Sequence, residues 1–573
     1  MALNISLPSG ALTYANPAEA VSDQMFGARY ISYRNIDRFL DQIEDANIGL
    51  IVWPGGTLAE TRADRYGFDF DGLQNPANNK PALDEMMEIA ITKGASLSVI
   101  LPTARYTDDL ASLQSDLSNF LANLLAGDYG PLPDDLIFEV GSEYYANFSG
   151  DALSQAAQYG AVAEVMITEI AAALADPSIN LIGADINIAA QAGKTMAEDV
   201  AIRDALSEFA TDNVDSLIHH RFAFQPQGID PRIAELQGIL DAWETETGEE
   251  PNLFVSAWNT VTLTRNGVLN DYIEYQAAQG SVIDASDVDL NGRTTTEFET
   301  FWQDELDEVA YGQEHAAYIL ESFASYAEAG ADAASLYGVD LIHPGRVSWR
   351  ENGSDYDFVG AKMLEMIYES VGGTHVLTSD DDYDTNALAT SYGFENEDKL
   401  VLFVAAGHSA PGQVCLTLDG FGEIYNQVWV ERLTGETPSD WKTIFGIPDN
   451  PDVDETAEGD TYAVGIREVV TPDTSAGALT FSLSSPHEVI RLAFAKTAAG
   501  AHEIAGWAEG QATDLAPLGE DGPPSVLPDC LSPKGCDSQE QDADETDSDM
   551  SMVAEAVSSG VGIGLLLFFL FLI

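Results

Sequence analysis

Two periods of hydrophobic placement divide the chain. From Gln24 to residue 374, short apolar runs alternate with longer segments whose apolar residues recur at i, i+3, i+4 and i+7. The runs are QMFGARYI from Gln24, IGLIVW from Ile48, SLSVIL from Ser96 and LIFEV from Leu136. They continue with NLIGADI from Asn180, SLIHH from Ser216, LFVSAW from Leu253 and AASLYGV from Ala333. The segments between them, such as PALDEMMEIAITKG from Pro81 and RIAELQGILDAWETETG from Arg232, are amphipathic, and several end in glycine, a helix stop signal. Strands that alternate with helices pair in parallel. Eight such units over 22–374 predict a (β/α)8 barrel.

After residue 374 the period changes from 3.6 to 2. LVLFVAAG, GQVCLTLDGF, QVWVERLTG, ALTFSLS and HEVIRLAFAK read as strands separated by turn residues, and predict a β-sandwich over 375–499. Residues 1–21 form a lead-in whose alternating patch is able to add a strand to that sandwich. Residues 500–552 read as a disordered acidic linker, with seven of thirteen residues acidic from Asp537 to Asp549. The 553–573 segment ends in 18 uncharged residues, just long enough to span a bilayer, and predicts a C-terminal membrane anchor and a cell-surface or secreted protein. The N-terminus shows no basic region followed by an apolar run, so no conventional signal peptide is visible.

Charge narrows the partners. With 95 acidic residues against 24 basic, the net charge is −71, which excludes nucleic acid and anionic membrane surfaces. It suits life in salt or contact with divalent cations. Three cysteines are too few for a disulfide framework. In the insertion at 262–302, Asp287, Asp289, Asn291 and Gly292 match the first half of a calcium loop, but the twelfth position is Phe298 rather than Glu. Calcium is therefore a weak candidate, and no cofactor is expected.

A (β/α)8 barrel places its chemistry just past the carboxyl ends of its strands. Glu143 stands there, after the run Leu136–Val140 and Gly141. In glycoside hydrolysis one carboxylic acid protonates the leaving oxygen while a second carboxylate attacks the sugar or activates water. The acid has to hold its proton, so an apolar, aromatic setting is expected around Glu143, with Tyr144 and Tyr145 as suppliers. Glu139, inside the run, reads as structural. Trp53, Tyr106, Tyr144, Tyr145, Phe222, Trp258 and Tyr337 lie near strand ends and are candidates to stack on sugar faces. Arg105, His219, His220 and Asn259 are candidates to bind its hydroxyls.

These segments together resemble the clan A glycoside hydrolases, specifically the xylosidase, iduronidase and heparanase-like members. FEVGSEYY is similar to their fourth-strand segment, LFVSAWNT to the seventh, WPGGTLAE from Trp53 to the second, SLIHHRF to the sixth and AASLYGVD to the eighth. The resemblance spans 24–498, and a β-sandwich after the barrel fits it. It implies that Glu143 is the general acid/base. It also shows two departures: the Asn that precedes the acid/base is Ser142, and the nucleophilic Glu falls on Ala257, so the usual retaining nucleophile is absent. A second catalytic group would then come from Asp185, Asp340, His219 or His220. Three functions remain open on the sequence: a hydrolase acting on a polysaccharide or oligosaccharide, a non-catalytic carbohydrate-binding pseudoenzyme, and a surface adhesion protein.

Overall fold

The computed structural model describes residues 2–7, 20–31, 36–43, 47–55, 58–61, 67–70, 80–176, 184–290, 295–339, 348–351, 354–377, 388–409, 412–418, 427–447, 450–451, 453–472, 478–507 and 516–517. Eight parallel strands close into a barrel: Gly27–Ile31, Leu50–Gly55, Ser96–Leu101, Asp135–Val140, Asp185–Gln191, Ser216–Ala223, Asn252–Thr260 and Ala331–Leu336. Parallel strands are buried on both faces, which is why they read as unbroken apolar runs. Val52, Ile100, Ile137, Ala189, Ile218, Phe254 and Ala333 fill the interior. Their neighbours along each strand, among them Ile51, Val99, Phe138 and Val255, pack outward in the core that includes the helices. Gly27 closes the ring, since a Cβ there would stand 2.2 Å from the Ala334 carbonyl oxygen.

The helices begin and end where the sequence signals it. Asp109 caps Leu110–Ala126 by accepting from Ser112 N–H, and Gly127 ends that helix at φ 83°. Asp151 caps Ala152–Leu174 in the same way. The insertion after the seventh strand folds into helices Leu269–Ala278 and Thr296–Asp307 around its own small core of Tyr272, Phe298, Trp302 and Leu306.

One strand is displaced from its expected place. The fifth barrel strand starts at Asp185, whereas the run from Asn180 placed it earlier. Two short apolar runs flank Asp185, and the second, INIAAQ, is the one that pairs, with Asp185 in register with Asp135.

The C-terminal domain is a seven-stranded sheet, antiparallel along its length, and a three-stranded sheet that share one apolar core. Ala2–Leu7 pairs with Gly412–Leu418 in the smaller sheet. The domain meets the barrel on helix Val359–Ser370. There the fully buried Arg491 donates to Met366 O at 2.7 Å and to Glu431 at 2.7 Å. Arg467 bridges Glu431 and Glu369 beside it.

The expected membrane anchor is withdrawn. No described helix is long and apolar enough to cross a membrane, and the 553–573 segment lies outside the described residues. The cell-surface placement drawn from that segment goes with it.

Candidate active site

A polar layer crosses the barrel just beneath its mouth. Arg29, on the first strand, donates to Ser256 O at 2.8 Å and Ser256 Oγ at 2.6 Å. Ser256 Oγ donates to Glu139 Oε2 at 2.8 Å, and Ser98 Oγ to Glu139 Oε1 at 2.8 Å. Arg29 lies 4.0 Å from Glu139, and both side chains are almost fully buried. Glu139 is thus the buried counter-charge of Arg29. The layer ties the fourth strand to the seventh across the interior. It also brings Arg29 Nη2 within 3.5 Å of Ser142 Oγ, one residue before Glu143.

A second buried acid shapes the loop. Glu60, in the short helix Leu58–Thr61, accepts from Thr103 N–H at 2.9 Å, Ala104 N–H at 2.9 Å, Thr103 Oγ1 at 2.8 Å and Ser142 N–H at 3.0 Å. Burial raises its carboxyl above the ordinary value, against these four donors. One carboxylate therefore pins the ends of the third and fourth strands together. Gly141 at φ 75° allows the turn, since a Cβ there would meet Thr103 Oγ1 at 2.6 Å.

Glu143 follows in the left-handed region, at φ 49°, a conformation that costs energy for a residue with a Cβ and concentrates at functional sites. Its side chain is 26% exposed, and its Oε1 lies 3.3 Å from His220 Nδ1 on the sixth strand. Burial raises the Glu143 carboxyl. The hydrogen bond and charge of His220, the charge of Arg29 and a hydrogen bond from Tyr145 outweigh that, and the net effect is a value below the ordinary one. The expected proton-holding setting is not what these neighbours produce: they favour a carboxylate. Tyr145 packs under Lys194, whose Nζ stands 4.0 Å from the ring centre, and burial together with the Glu143 charge pushes its hydroxyl well up. His220 Nε2 is buried without a hydrogen-bond partner among the described residues.

The other sequence candidates divide. Phe222 and Tyr337 form an edge-to-face pair, ring centres 5.5 Å apart, at the ends of the sixth and eighth strands, and both are partly exposed. Several others face the core. His219 packs on Tyr326 of helix Glu314–Glu328, 6.4 Å between centres, and Trp258 packs on the same ring at 6.2 Å. Trp53 is fully buried against Phe70. Tyr144 is buried, donating to Glu198 at 2.6 Å. Tyr106 donates to Asp116 at 3.1 Å and stacks on Phe68, with Arg105 lying over its ring at 4.5 Å. Asn259 is buried, donating to Tyr337 O at 2.6 Å and meeting His315 Nε2 at 2.8 Å. Asp185 opens its strand, at the end of the barrel opposite Glu143, so it is no partner for it. Asp340 lies outside the described residues. Asp287 and Asp289 are exposed, and Asn291 and Gly292 lie outside the described residues. Among the described residues the one group of three close metal-ligating side chains lies elsewhere, at Glu314, His408 and His487.

Sequence reasoning missed Arg29 and Glu60. Each is a lone charge in or beside an apolar run, and a buried charge demands a partner. For Arg29 the partner, Glu139, was visible in the fourth run.

No protein-family model and no curated protein matches the chain. Solved structures do. An α-L-arabinofuranosidase from Thermotoga maritima, in complex with arabinose, is 12% identical, with 86% of this chain and 99% of that one covered at a TM-score of 0.55. The GH51 arabinofuranosidase from Xanthomonas axonopodis pv. citri is 12% identical over 86% and 99%, at 0.52. A glucosidase from Croceicoccus marinus is 11% identical over 87% and 100%, at 0.50. At these identities the likeness is one of fold, and the chain has the fold of these glycosidases.

Proposed function

We propose that the protein acts on the glycosidic bonds of a polysaccharide or oligosaccharide, with Glu143 and His220 as its proton-transfer pair. The observation that supports this most is their contact at the carboxyl end of the barrel, where Glu143 remains partly open. A carboxylate hydrogen-bonded to an imidazole shares its proton inventory with it. When the pair carries two protons, Glu143 is able to protonate a leaving oxygen. When it carries one, Glu143 is able to take a proton from water. Phe222 and Tyr337 offer a sugar-stacking face nearby.

A second reading, binding without turnover, is favoured by the seventh strand. NLFVSAWNT contains no carboxylate, and Ala257 stands where the resemblance places a nucleophile. The test is an activity screen on aryl glycosides and polysaccharides beside a glycan-array experiment. Turnover that falls by about 10²–10⁴ in Glu143→Gln, with binding retained, supports hydrolysis. Binding with no turnover supports the second reading, and neither binding nor turnover overturns both.

A further inference from the structure

We propose that Glu314, His408 and His487 form a structural site for a divalent transition metal, Zn2+ foremost, that pins the C-terminal domain to the barrel. Each side chain offers a ligand atom, and these atoms all lie within 4.8 Å of one another. His408 Nδ1 and His487 Nε2 are 3.0 Å apart with their rings nearly perpendicular. Zinc–nitrogen distances of about 2.1 Å in a tetrahedron put ligand atoms about 3.3 Å apart, so small side-chain rotations suffice.

Chemistry selects the ion. Two imidazoles and one carboxylate are a donor set for zinc and its neighbours, whereas calcium and magnesium take oxygen ligands. The Glu314 carboxylate is nine-tenths buried, and its Oε1 has no hydrogen-bond partner among the described residues. A buried carboxylate with an orphan oxygen is costly, and a cation removes that cost.

The scaffold is built from both domains. Glu314 is the first residue of helix Glu314–Glu328, which precedes the eighth barrel strand. His408 follows strand Lys399–Ala406, and His487 precedes strand Val489–Ala495. His487 sits at φ 56°, a left-handed conformation held in place by His487 N–H donating to Gly407 O at 3.2 Å and by Gln313 Nε2 donating to His487 O at 2.9 Å. Next along the helix, His315 meets Asn259 at the end of the seventh strand. A metal on Glu314 would therefore fix the domain interface one residue away from a contact to the candidate active site.

The test uses the full chain, stripped with a chelator and titrated with Zn2+ in high salt, which screens loose binding to the acidic surface. Bound metal is measured after gel filtration, and Co2+ is loaded in parallel for its visible absorption. The expected result is one tightly held Zn2+ per chain, a Co2+ spectrum of four- or five-coordinate type, and at least a tenfold loss of affinity in His408→Ala and Glu314→Gln. His408 is exposed, so its replacement leaves the fold intact, which circular dichroism checks. No tight Zn2+ in the parent chain, or equal binding by His408→Ala, overturns the site.

Discussion

Nδ1 of His220 lies 3.3 Å from Oε1 of Glu143, and the strand partner of His220 is Ala257. The position where a retaining glycosidase of the resembled type would carry its nucleophile is thus beside the imidazole that touches the candidate acid. His220 is a titratable group in direct contact with Glu143.

Removing the imidazole should raise the Glu143 carboxyl, because His220 is the largest of the lowering influences on it. The protonated form then persists to higher pH. In His220→Ala, an activity that needs protonated Glu143 should move its alkaline limb upward in pH, read from the kcat/KM profile. A carbon-13 NMR titration of the Glu143 carboxyl makes the same check with no substrate present. A midpoint that stays put or falls refutes the coupling.

Ala257→Glu places a carboxylate at a site that is 2% exposed and next to Ser256, which binds Arg29. Burying a charge without a dedicated partner should cost about 3–5 kcal/mol, measured by urea unfolding. If the mouth is shaped for double displacement, the variant should gain hydrolysis of aryl glycosides, and adding Glu143→Gln should abolish it. An unchanged background rate with intact glycan binding points to a binding protein.

Breaking the interior layer should be expensive. Arg29→Met leaves Glu139 buried and uncompensated, and should cost about 3–5 kcal/mol in denaturant unfolding. Replacing both partners, Arg29→Met with Glu139→Gln, should recover much of that loss, because no buried charge is then left alone. A double variant as unstable as Arg29→Met would show that the serine contacts, rather than the charges, dominate.

What was legible follows from parity and period. Eight apolar runs announced the barrel because parallel strands bury both faces, and the change to period 2 announced the β domain. Side-chain direction was harder. His219 and His220 are adjacent on one strand, so their side chains point to opposite faces: His220 meets Glu143 while His219 packs on Tyr326. On the seventh strand the register shifts between Val255 and Trp258, and that irregularity turns Trp258 outward to Tyr326. No single-sequence pattern marks such a shift. Glu143 was found because its position after a strand and a glycine is a topological signal, while its lowered carboxyl depends on Arg29 and His220, which lie far away in sequence.

Acid should destabilise the protein, and His315 supplies a specific reason. Its imidazole is buried against Asn259 and beside Gly360, and burial lowers it from 6.5 to about 3. The unfolded chain therefore binds a proton at this residue below pH about 6.5 that the folded chain refuses, so stability falls as pH drops from there toward 3. A shift of that size corresponds to roughly 5 kcal/mol at the acid end. His487 adds loss of the same sign, while Glu314, raised to about 7, binds its proton more tightly when folded and opposes it between about pH 7 and its ordinary value. The net expectation is lower unfolding free energy at pH 5 than at pH 7. His315→Gln should flatten that slope even if it lowers the stability at pH 7. A slope unchanged by His315→Gln, measured by urea unfolding at both pH values, assigns the acid sensitivity to other groups.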